Sequence, residues 1–452
     1  MTPFIQCDRK TPYLLPPSVQ EWLPKDHLAR FVVDIVSQLD LGPLEKAYGG
    51  RGSRAYHPEV LLSLLFYGYA TGVFSSRSLE RATYDSVAFR YITANTHPDH
   101  DTIASFRKRF LSELKPLFTQ ILMIAHQLGV LKLGNVSLDG TKVKANASKH
   151  HALSWQYACG LEEQLSEEVE ELLRQAEEAD QENVLDGMNI PEEIARREDR
   201  LEGIAKAKAE IQKRAAERYA EEQEAYEEKI AKRAAQAQAT GKTPRGREPR
   251  PPEPGPKGTD QVNLTDSESR IMPTSGGGFE QAYNAQAAVD MDTLFILTNH
   301  VSQHPNDKQE LEPALEQLGS LPETIGTVAA LVGDAGYFSD GNVKKCEANQ
   351  ITPYLASKRE KHHEVLRERF TPPEALSESA DGVSAMKHRL KTTEGRKLYA
   401  RRKCSVEPVF GIIKAIMGFR HFLLRGLKAV SGEWDLVCLA WNLKRLHRLT
   451  TA

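Results

Sequence analysis

Apolar positions in the first part of the chain recur with the period of a helix. VLLSLLFYGYATG, from Val60 to Gly72, is almost entirely apolar and follows Pro58, and SSRSLERAT opens with serines that can cap a helix. Between Asp101 and Gly129 the apolar residues lie three, four or seven positions apart, at Ile103, Phe106, Phe110, Leu114, Leu117 and Ile121. The pattern predicts a helical region over residues 1–130.

The polar face of the last of these helices carries Arg107, Lys108 and Arg109. Short helices with basic residues are consistent with a DNA-binding domain, and equally with an ordinary helical domain whose basic face is solvated. No local feature identifies a recognition helix, so the pattern alone does not choose between these interpretations.

The middle of the chain changes abruptly in composition. Residues 161–235 contain 23 Asp and Glu against 12 Lys and Arg, with many Ala, Gln and Leu. This predicts a charged helical hairpin, broken near NIPEE at residues 189–193. The following TPRGREPRPPEPGPKG has six prolines and predicts an extended linker. We therefore treat residues 155–260 as an insertion.

Beyond the insertion the pattern is that of an α/β domain. FEQAYNAQAAVD and TLFILTNHVSQ predict a hairpin with its turn near Met291 and Asp292. The predicted strands are 135–147, 280–290, 293–302, 326–333 and 351–355, with helices after the third, fourth and fifth. With the insertion removed, this β-β-β-α-β-α-β-α order is the one expected of a ribonuclease H-like α/β fold with a mixed sheet.

Bulk charge hides a strong segregation. The formal net charge is −3, but residues 391–452 carry 13 Lys and Arg against 4 Asp and Glu. Such a region can bind a polyanion or form a solvated face.

No apolar run reaches the length of a membrane span, the N-terminus lacks the apolar core of a signal peptide, and the five cysteines are scattered. We expect a cytoplasmic protein.

Three acidic residues occupy informative positions in this order. Asp139 lies in the first strand segment, Asp334 ends the fourth strand, and Glu407 opens the helix of SVEPVFGIIKAIMGF, where Ser405 can act as the cap. Lys414 follows two turns after Glu407 and shares its exposed face, opposite an apolar stripe formed by Val409, Ile412, Ile413, Ile416 and Met417. Each acid also has a structural explanation: an Asp-Gly turn at Asp139, a helix cap at Asp334 and a favourable dipole interaction at Glu407.

A set of three carboxylates has a chemical use. Hydrolysis of a phosphodiester places negative charge on the attacking and leaving oxygens, and two divalent ions about 3.5–4 Å apart can stabilise both. Magnesium takes oxygen ligands and keeps several waters, so a few carboxylates suffice to hold it.

Other polar and aromatic residues have simpler interpretations. Asp266 in TDSESR precedes the second strand and is consistent with a position near the metal site, although a turn residue is the simpler interpretation. We expect Asp290 and Asp292 to be turn residues, and His304 and Asp307 to be a loop and a helix-cap residue. Trp434 and Trp441 are expected in the core.

Several stretches together resemble bacterial insertion-sequence transposases of the DDE class, in the branch with a helical N-terminal domain and a long insertion that splits the catalytic domain. These stretches are PDHDTIASFRKRF, VSLDGTKVKANAS, GGFEQAYNAQAAVD, LVGDAGYFS, VEPVFGIIKAIMGFRHFLLRGL and EWDLVCLAWNLKRL. The resemblance implies a DNA-binding or dimerisation domain over residues 1–130, a ribonuclease H-like catalytic domain over residues 131–154 and 261–452, and the insertion between them.

The resemblance also implies specific roles. Asp139, Asp334 and Glu407 would be the catalytic metal ligands for two Mg²⁺ ions, for which Mn²⁺ can substitute. DNA contacts would come from Tyr399, Arg402, Lys403, Lys414, Arg420 and Arg425, although one additional residue separates Tyr399 and Arg402 from Glu407 compared with the family signature. The partners would be double-stranded DNA at the transposon ends and target, and further copies of the chain in a homodimer or larger assembly in the nucleoid, with no membrane. A metal-dependent nuclease and a non-catalytic DNA-binding derivative of a transposase are the alternatives.

Overall fold

The computed structural model describes residues 18–48, 55–179, 190–241, 246–274, 277–357 and 381–451. By its internal contacts the chain divides into two compact units, residues 1–143 with 283–452, and residues 144–282. Each unit is described by itself. No helix within the described residues is both long and apolar enough to cross a membrane.

Within the described part of residues 18–127, the first unit contains eight α-helices, which confirms the helical N-terminal region. They are α1 (Val19–Trp22), α2 (Leu28–Val36), α3 (Gly42–Lys46), α4 (Pro58–Thr71), α5 (Ser76–Asp85), α6 (Val87–Ile92), α7 (His100–Phe110) and α8 (Leu114–Gln127). Ser75 caps α5 by accepting from the Ser78 amide at 3.1 Å. The run of helically spaced apolar residues between Asp101 and Gly129 is divided between α7 and α8 by a 3₁₀ turn, and these apolar residues are all buried.

The same unit contains a mixed sheet, as expected of the ribonuclease H-like order. Its strands are β1 (Asn135–Lys144), β5 (Phe279–Asp290), β6 (Ile296–Ser302), β7 (Ala330–Gly333) and β8 (Thr352–Leu355), in the spatial order β6-β5-β1-β7-β8. β5 and β6 form the predicted antiparallel hairpin, whereas β1, β7 and β8 are parallel. The parallel strands therefore end at one edge of the sheet.

The helices α11 (Leu311–Gly319), α12 (Asp340–Ala348), α13 (Gly382–Lys391), α14 (Thr393–Ala400), α15 (Val406–Ala415) and α16 (Leu427–Thr450) complete this unit. α16 packs against β6, α4 and α8. Trp434 and Trp441 are core residues, as predicted, and their indole groups donate to the carbonyls of Gln286 and Leu294 at 3.0 and 2.8 Å. The C-terminal helix thereby fixes the hairpin.

The second unit contains the predicted helical hairpin. Its elements are β2 (Ala152–Ser154), α9 (Trp155–Ala179), α10 (Ile190–Thr240), β3 (Gln261–Asn263) and β4 (Arg270–Pro273), and β4 pairs with the first residues of β5. The break is predicted near residues 189–193; residues 180–189 lie outside the described residues, and α10 begins at Ile190. A small apolar cluster joins the helices to the β2–β3 pair, and residues 246–258 have no regular secondary structure, as expected of the linker.

Two expectations about helix faces are wrong. Arg107 is not on a solvated face: it is 9% exposed, and its guanidinium donates to the Tyr69 hydroxyl and the Phe74 carbonyl, both at 3.1 Å. Ile416 is not part of the apolar stripe: α15 ends at Ala415, and the Ile416 side chain is 70% exposed. Arg107 is held by partners distant in the chain, and Ile416 lies beyond the end of its helix, so the local period does not set the direction of either side chain.

Candidate active site

Asp139 and Asp334 lie side by side where β7 ends against β1. β1 and β7 pair with Ser137 opposite Val332, so Asp139 on β1 is aligned with the first residue after β7, which is Asp334. Neighbouring strands are about 4.8 Å apart. The two carboxylates therefore project from adjacent positions.

The local structural explanations for these two aspartates are wrong. Asp139 and Gly140 lie inside β1 and form no hairpin turn, and α12 is capped by the Ser339 hydroxyl, which accepts from the Asn342 amide at 3.0 Å. Asp334 instead accepts from the Gly336 amide at 2.7 Å, which holds its carboxylate in the turn after β7.

Glu407 joins this pair through Arg402. The Arg402 guanidinium donates to Asp139 Oδ2 at 3.0 Å and to Glu407 Oε1 at 2.9 Å. Glu407 is in the first turn of α15 as predicted, but Ser405 does not cap that helix, because its hydroxyl donates to the Arg402 carbonyl at 3.0 Å. The residues Arg401–Cys404 form a 3₁₀ turn just before α15, and this turn accommodates the additional residue between Arg402 and Glu407.

Electrostatics at the site reflect crowded carboxylates. Burial raises the pKa of Asp139, Arg402 lowers it, and the charges of Asp334 and Asp307 raise it, so that the resulting pKa is about 6. Burial opposes the charge on Arg402, but Asp139, Tyr399, Glu407 and Asp334 together raise its pKa. One arginine is thus shared by several acidic groups, and a further cation would relieve the remaining repulsion.

Lys414 is held against β1 and does not extend into solvent. Its ammonium group donates to the Thr141 hydroxyl and to the Lys142 carbonyl, the latter at 2.9 Å. Burial lowers the pKa of Lys414, and the charge of Lys142 acts in the same direction. The expectation that Lys414 shares an exposed face with Glu407 is therefore wrong. Its ammonium group instead bonds Thr141, which follows Asp139 by two residues along β1.

Two segments of the chain match family models. Residues 17–109 match a family model described as Transposase domain (DUF772), and residues 254–443 match one described as Transposase DDE domain. The chain belongs to the DDE transposases. The second match contains Asp334 and Glu407, while Asp139 lies upstream of it, before the helical insertion. No curated protein and no solved structure matches the chain.

The transposase places its other predicted DNA-binding residues around the same helix. Tyr399 at the end of α14 is close enough to Arg402 to influence its pKa. Lys403, Arg420 and Arg425 are exposed, and Arg420 Nε donates to the Lys414 carbonyl at 3.2 Å. Over the described residues, no three His, Cys, Asp or Glu side chains converge closely enough to form a closed metal-binding set. The Arg402 guanidinium stands between two of the three predicted ligands.

Sequence reasoning missed Asp307, which is not a helix cap. Glu310 occupies the cap position of α11, and the Asp307 carboxylate instead accepts from Asn284 Nδ2 at 2.7 Å and from Gln286 Nε2 at 2.8 Å. The available signal is the alternation of β5, which places Asn284 and Gln286 on one face of a buried strand. Two adjacent buried amides on one face require polar partners.

The neighbouring Glu310 anchors the loop that carries Asp307. Glu310 is 1% exposed, and it accepts from Ser302 Oγ at 2.7 Å and bonds the rings of His300 and His304 at 2.8 and 2.7 Å. Burial opposes its ionisation, but these three partners hold the pKa of Glu310 below its ordinary value of 4.5.

We expect Glu310→Gln to destabilise the transposase at neutral pH but progressively less in acid. Because the pKa is lower in the folded than in the unfolded state, the ionised carboxylate contributes stability above about pH 4.5, and this contribution is lost as the pH falls through the folded pKa. Urea denaturation of both proteins between pH 7 and pH 3.5 measures the difference. A difference that stays constant with pH would contradict this role for Glu310.

Proposed function

We propose that the transposase binds the terminal inverted repeats of its own insertion sequence, hydrolyses a phosphodiester at each end, and joins the freed 3′-hydroxyl to target DNA. The observation that supports this most directly is the alignment of Asp139 with Asp334 on adjacent parallel strands, with Glu407 linked to Asp139 through Arg402. The family match supports DNA as the substrate.

The carboxylates suit divalent metal ions of the magnesium type. Their ligand atoms are all oxygens, and magnesium is usually bound by one or two carboxylates, with waters and substrate phosphates as its other ligands. Asp139, Asp334 and Glu407 would hold two Mg²⁺ ions, for which Mn²⁺ can substitute. When bound, such ions stabilise the charge on the attacking and leaving oxygens. Burial, together with repulsion from Asp334 and Asp307, raises the pKa of Asp139, which is in keeping with this use.

Arg402 has a double role in this proposal. Its guanidinium bridges Asp139 and Glu407, so both carboxylates can converge on one ion only if the guanidinium leaves the space between them. A released arginine beside the site can bind a DNA phosphate in bidentate geometry. Arg402 would therefore pass from neutralising the carboxylates to holding the transposon end.

The basic residues beside α15 would position that DNA end. Lys414 is fixed to β1 near Asp139, while Lys403, Arg420 and Arg425 are exposed nearby in sequence, and Tyr399 lies close to Arg402. We propose that these residues contact the DNA backbone, and that residues 1–130 contribute DNA binding or dimerisation. A homodimer or larger assembly would be needed to bring two transposon ends together.

Cleavage of DNA that carries the element's own ends tests this function. We expect nicking at the ends in the presence of Mg²⁺, none in EDTA, and strand transfer of the released 3′-hydroxyl into a second DNA. A control substrate has the same composition but scrambled ends. Cleavage without preference for the ends would indicate a nuclease, and end binding without cleavage under any metal condition would indicate a non-catalytic DNA-binding protein.

A further inference from the structure

A fourth carboxylate, that of Asp307, lies close enough to Asp139 to influence its pKa and borders Gly140 and Gly336, although it comes from the loop between β6 and α11. Its Oδ1 atom accepts from Asn284 Nδ2 at 2.7 Å and from Gln286 Nε2 at 2.8 Å, and it lies 3.6 Å from Lys142 Nζ. Asn284 and Gln286 are fully buried on β5. Two amide donors and an ion pair with Lys142 therefore fix this oxygen and with it the direction of the carboxylate.

The other oxygen, Oδ2, lies on the side of Gly336 and Asp334. A side chain built on Gly336 would place its Cβ 2.9 Å from Asp334 Oδ1 and 3.4 Å from Asp307 Oδ2, so both oxygens border the same small space. Among the described residues, the hydrogen bonds and the ion pair of the Asp307 carboxylate are all made by Oδ1, and none is made by Oδ2. It is an oriented acceptor beside Asp334.

Two glycines make room for this arrangement. A Cβ at Gly140, directly after Asp139, would lie 2.1 Å from Gln286 Nε2 and 2.9 Å from Asp307 Oδ1. Gly336, two residues after Asp334, is bordered by Asp307 in the same way. Each catalytic aspartate is therefore followed by a glycine at the point where Asp307, or the Gln286 amide that bonds it, approaches the chain. A loop anchor at a distance from the site would not require glycine at these positions.

We propose that Asp307 belongs to the metal-binding set of the transposase: Asn284 and Gln286 fix Oδ1, and Oδ2 accepts hydrogen bonds from the water ligands of the divalent ion held by Asp139 and Asp334. This inference rests on the proposed function. Magnesium and manganese retain several waters when few carboxylates bind them, and the groups that bond such ligands contribute about 10–100-fold to metal affinity.

Asp307→Asn separates this role from that of a loop anchor. The amide oxygen can still accept from Asn284 and Gln286, so an anchor would be largely retained. The substitution removes the charge and places a donor where Oδ2 lies, which opposes a hydrogen bond from a water ligand. Glu312→Gln is the matched control, because Glu312 is an exposed carboxylate on the adjoining α11 that pairs with Lys345.

Binding of Mn²⁺ to the full-length protein without DNA, followed by the electron paramagnetic resonance signal of free Mn²⁺, provides the test. We expect Asp307→Asn to raise the Kd by about 10–100-fold, and Glu312→Gln to leave it unchanged. Wild-type affinity in Asp307→Asn, with Mn²⁺ binding lost in Asp334→Asn, would overturn this inference alone. Wild-type affinity in Asp334→Asn as well, or no Mn²⁺ binding by the wild type, would overturn the proposed metal site and this inference together.

Thermal unfolding in EDTA gives the stability of each variant independently of metal. If Asp307→Asn does not fold, the Mn²⁺ affinity of Asp307→Ser, which keeps an acceptor in a smaller side chain, is measured instead. The result is interpreted by the same criteria. Failure of both variants to fold would make Asp307 a structural anchor and overturn the proposal.

Discussion

Asp334→Asn is expected to reduce the rate of cleavage at the transposon ends by about a thousand-fold, equivalent to about 4 kcal/mol in the activation free energy. The amide oxygen can still accept from the Gly336 amide, so the turn after β7 is retained. What is lost is the negative charge aligned with Asp139. Asp139→Asn is expected to have an effect of similar size for the same reason.

Single-turnover cleavage of end-bearing DNA measures this rate, and a gel-shift assay measures end binding, which we expect to be unchanged. Asp340→Asn is the matched control, because Asp340 is exposed in the first turn of α12 and Ser339 supplies the cap. Cleavage by Asp334→Asn at more than about a tenth of the wild-type rate, which is 1.36 kcal/mol or less, would reject Asp334 as a metal ligand.

Glu433→Ala is expected to lower the free energy of unfolding by about 3–5 kcal/mol, the usual cost of removing one partner from a buried ionic network. Glu433 is fully buried on α16, where it accepts from the Tyr69 hydroxyl at 3.2 Å and from the amides of Leu423 and Leu424 at 3.0 Å. Arg107 completes the network by donating to Tyr69. The substitution leaves these donors buried without an acceptor.

Urea denaturation of the full-length protein measures this loss. Burial raises the pKa of Glu433, against the effects of the Leu424 amide and Arg107. Glu433→Gln, which keeps an acceptor of the same size, is therefore expected to cost much less than Glu433→Ala. Equal costs for the two variants would contradict this expectation and show that the carboxylate charge, and not the volume and acceptor that Gln retains, determines the effect. Because Leu423 and Leu424 lie between Arg420 and Arg425, Glu433→Gln is also informative for end binding.

The sequence alone determined the helical N-terminal region, the helical insertion and the order of the strands. Ile103, Phe106 and Leu117 repeat with a helical period and are buried, and Met291 and Asp292 mark the observed hairpin turn. These signals succeed because periodic burial and turn chemistry act over a few residues. The resemblance of scattered motifs then gave the family, which the domain matches confirm.

Only the tertiary structure decided the local alternatives around the candidate site. Asp139-Gly140 is a turn signal by itself, but pairing with β7 and the approach of Gln286 place it inside a strand. Asp334 could cap a helix, but Ser339 is closer to the helix start and takes that role. Lys414, Arg107 and Asp307 each bond to residues distant in the chain, and no local pattern encodes such partners. The direction of a polar side chain is set by the hydrogen-bond or ion-pair partner that it finds in the folded protein. For this reason the acidic residues could be named from the sequence, but their arrangement could not.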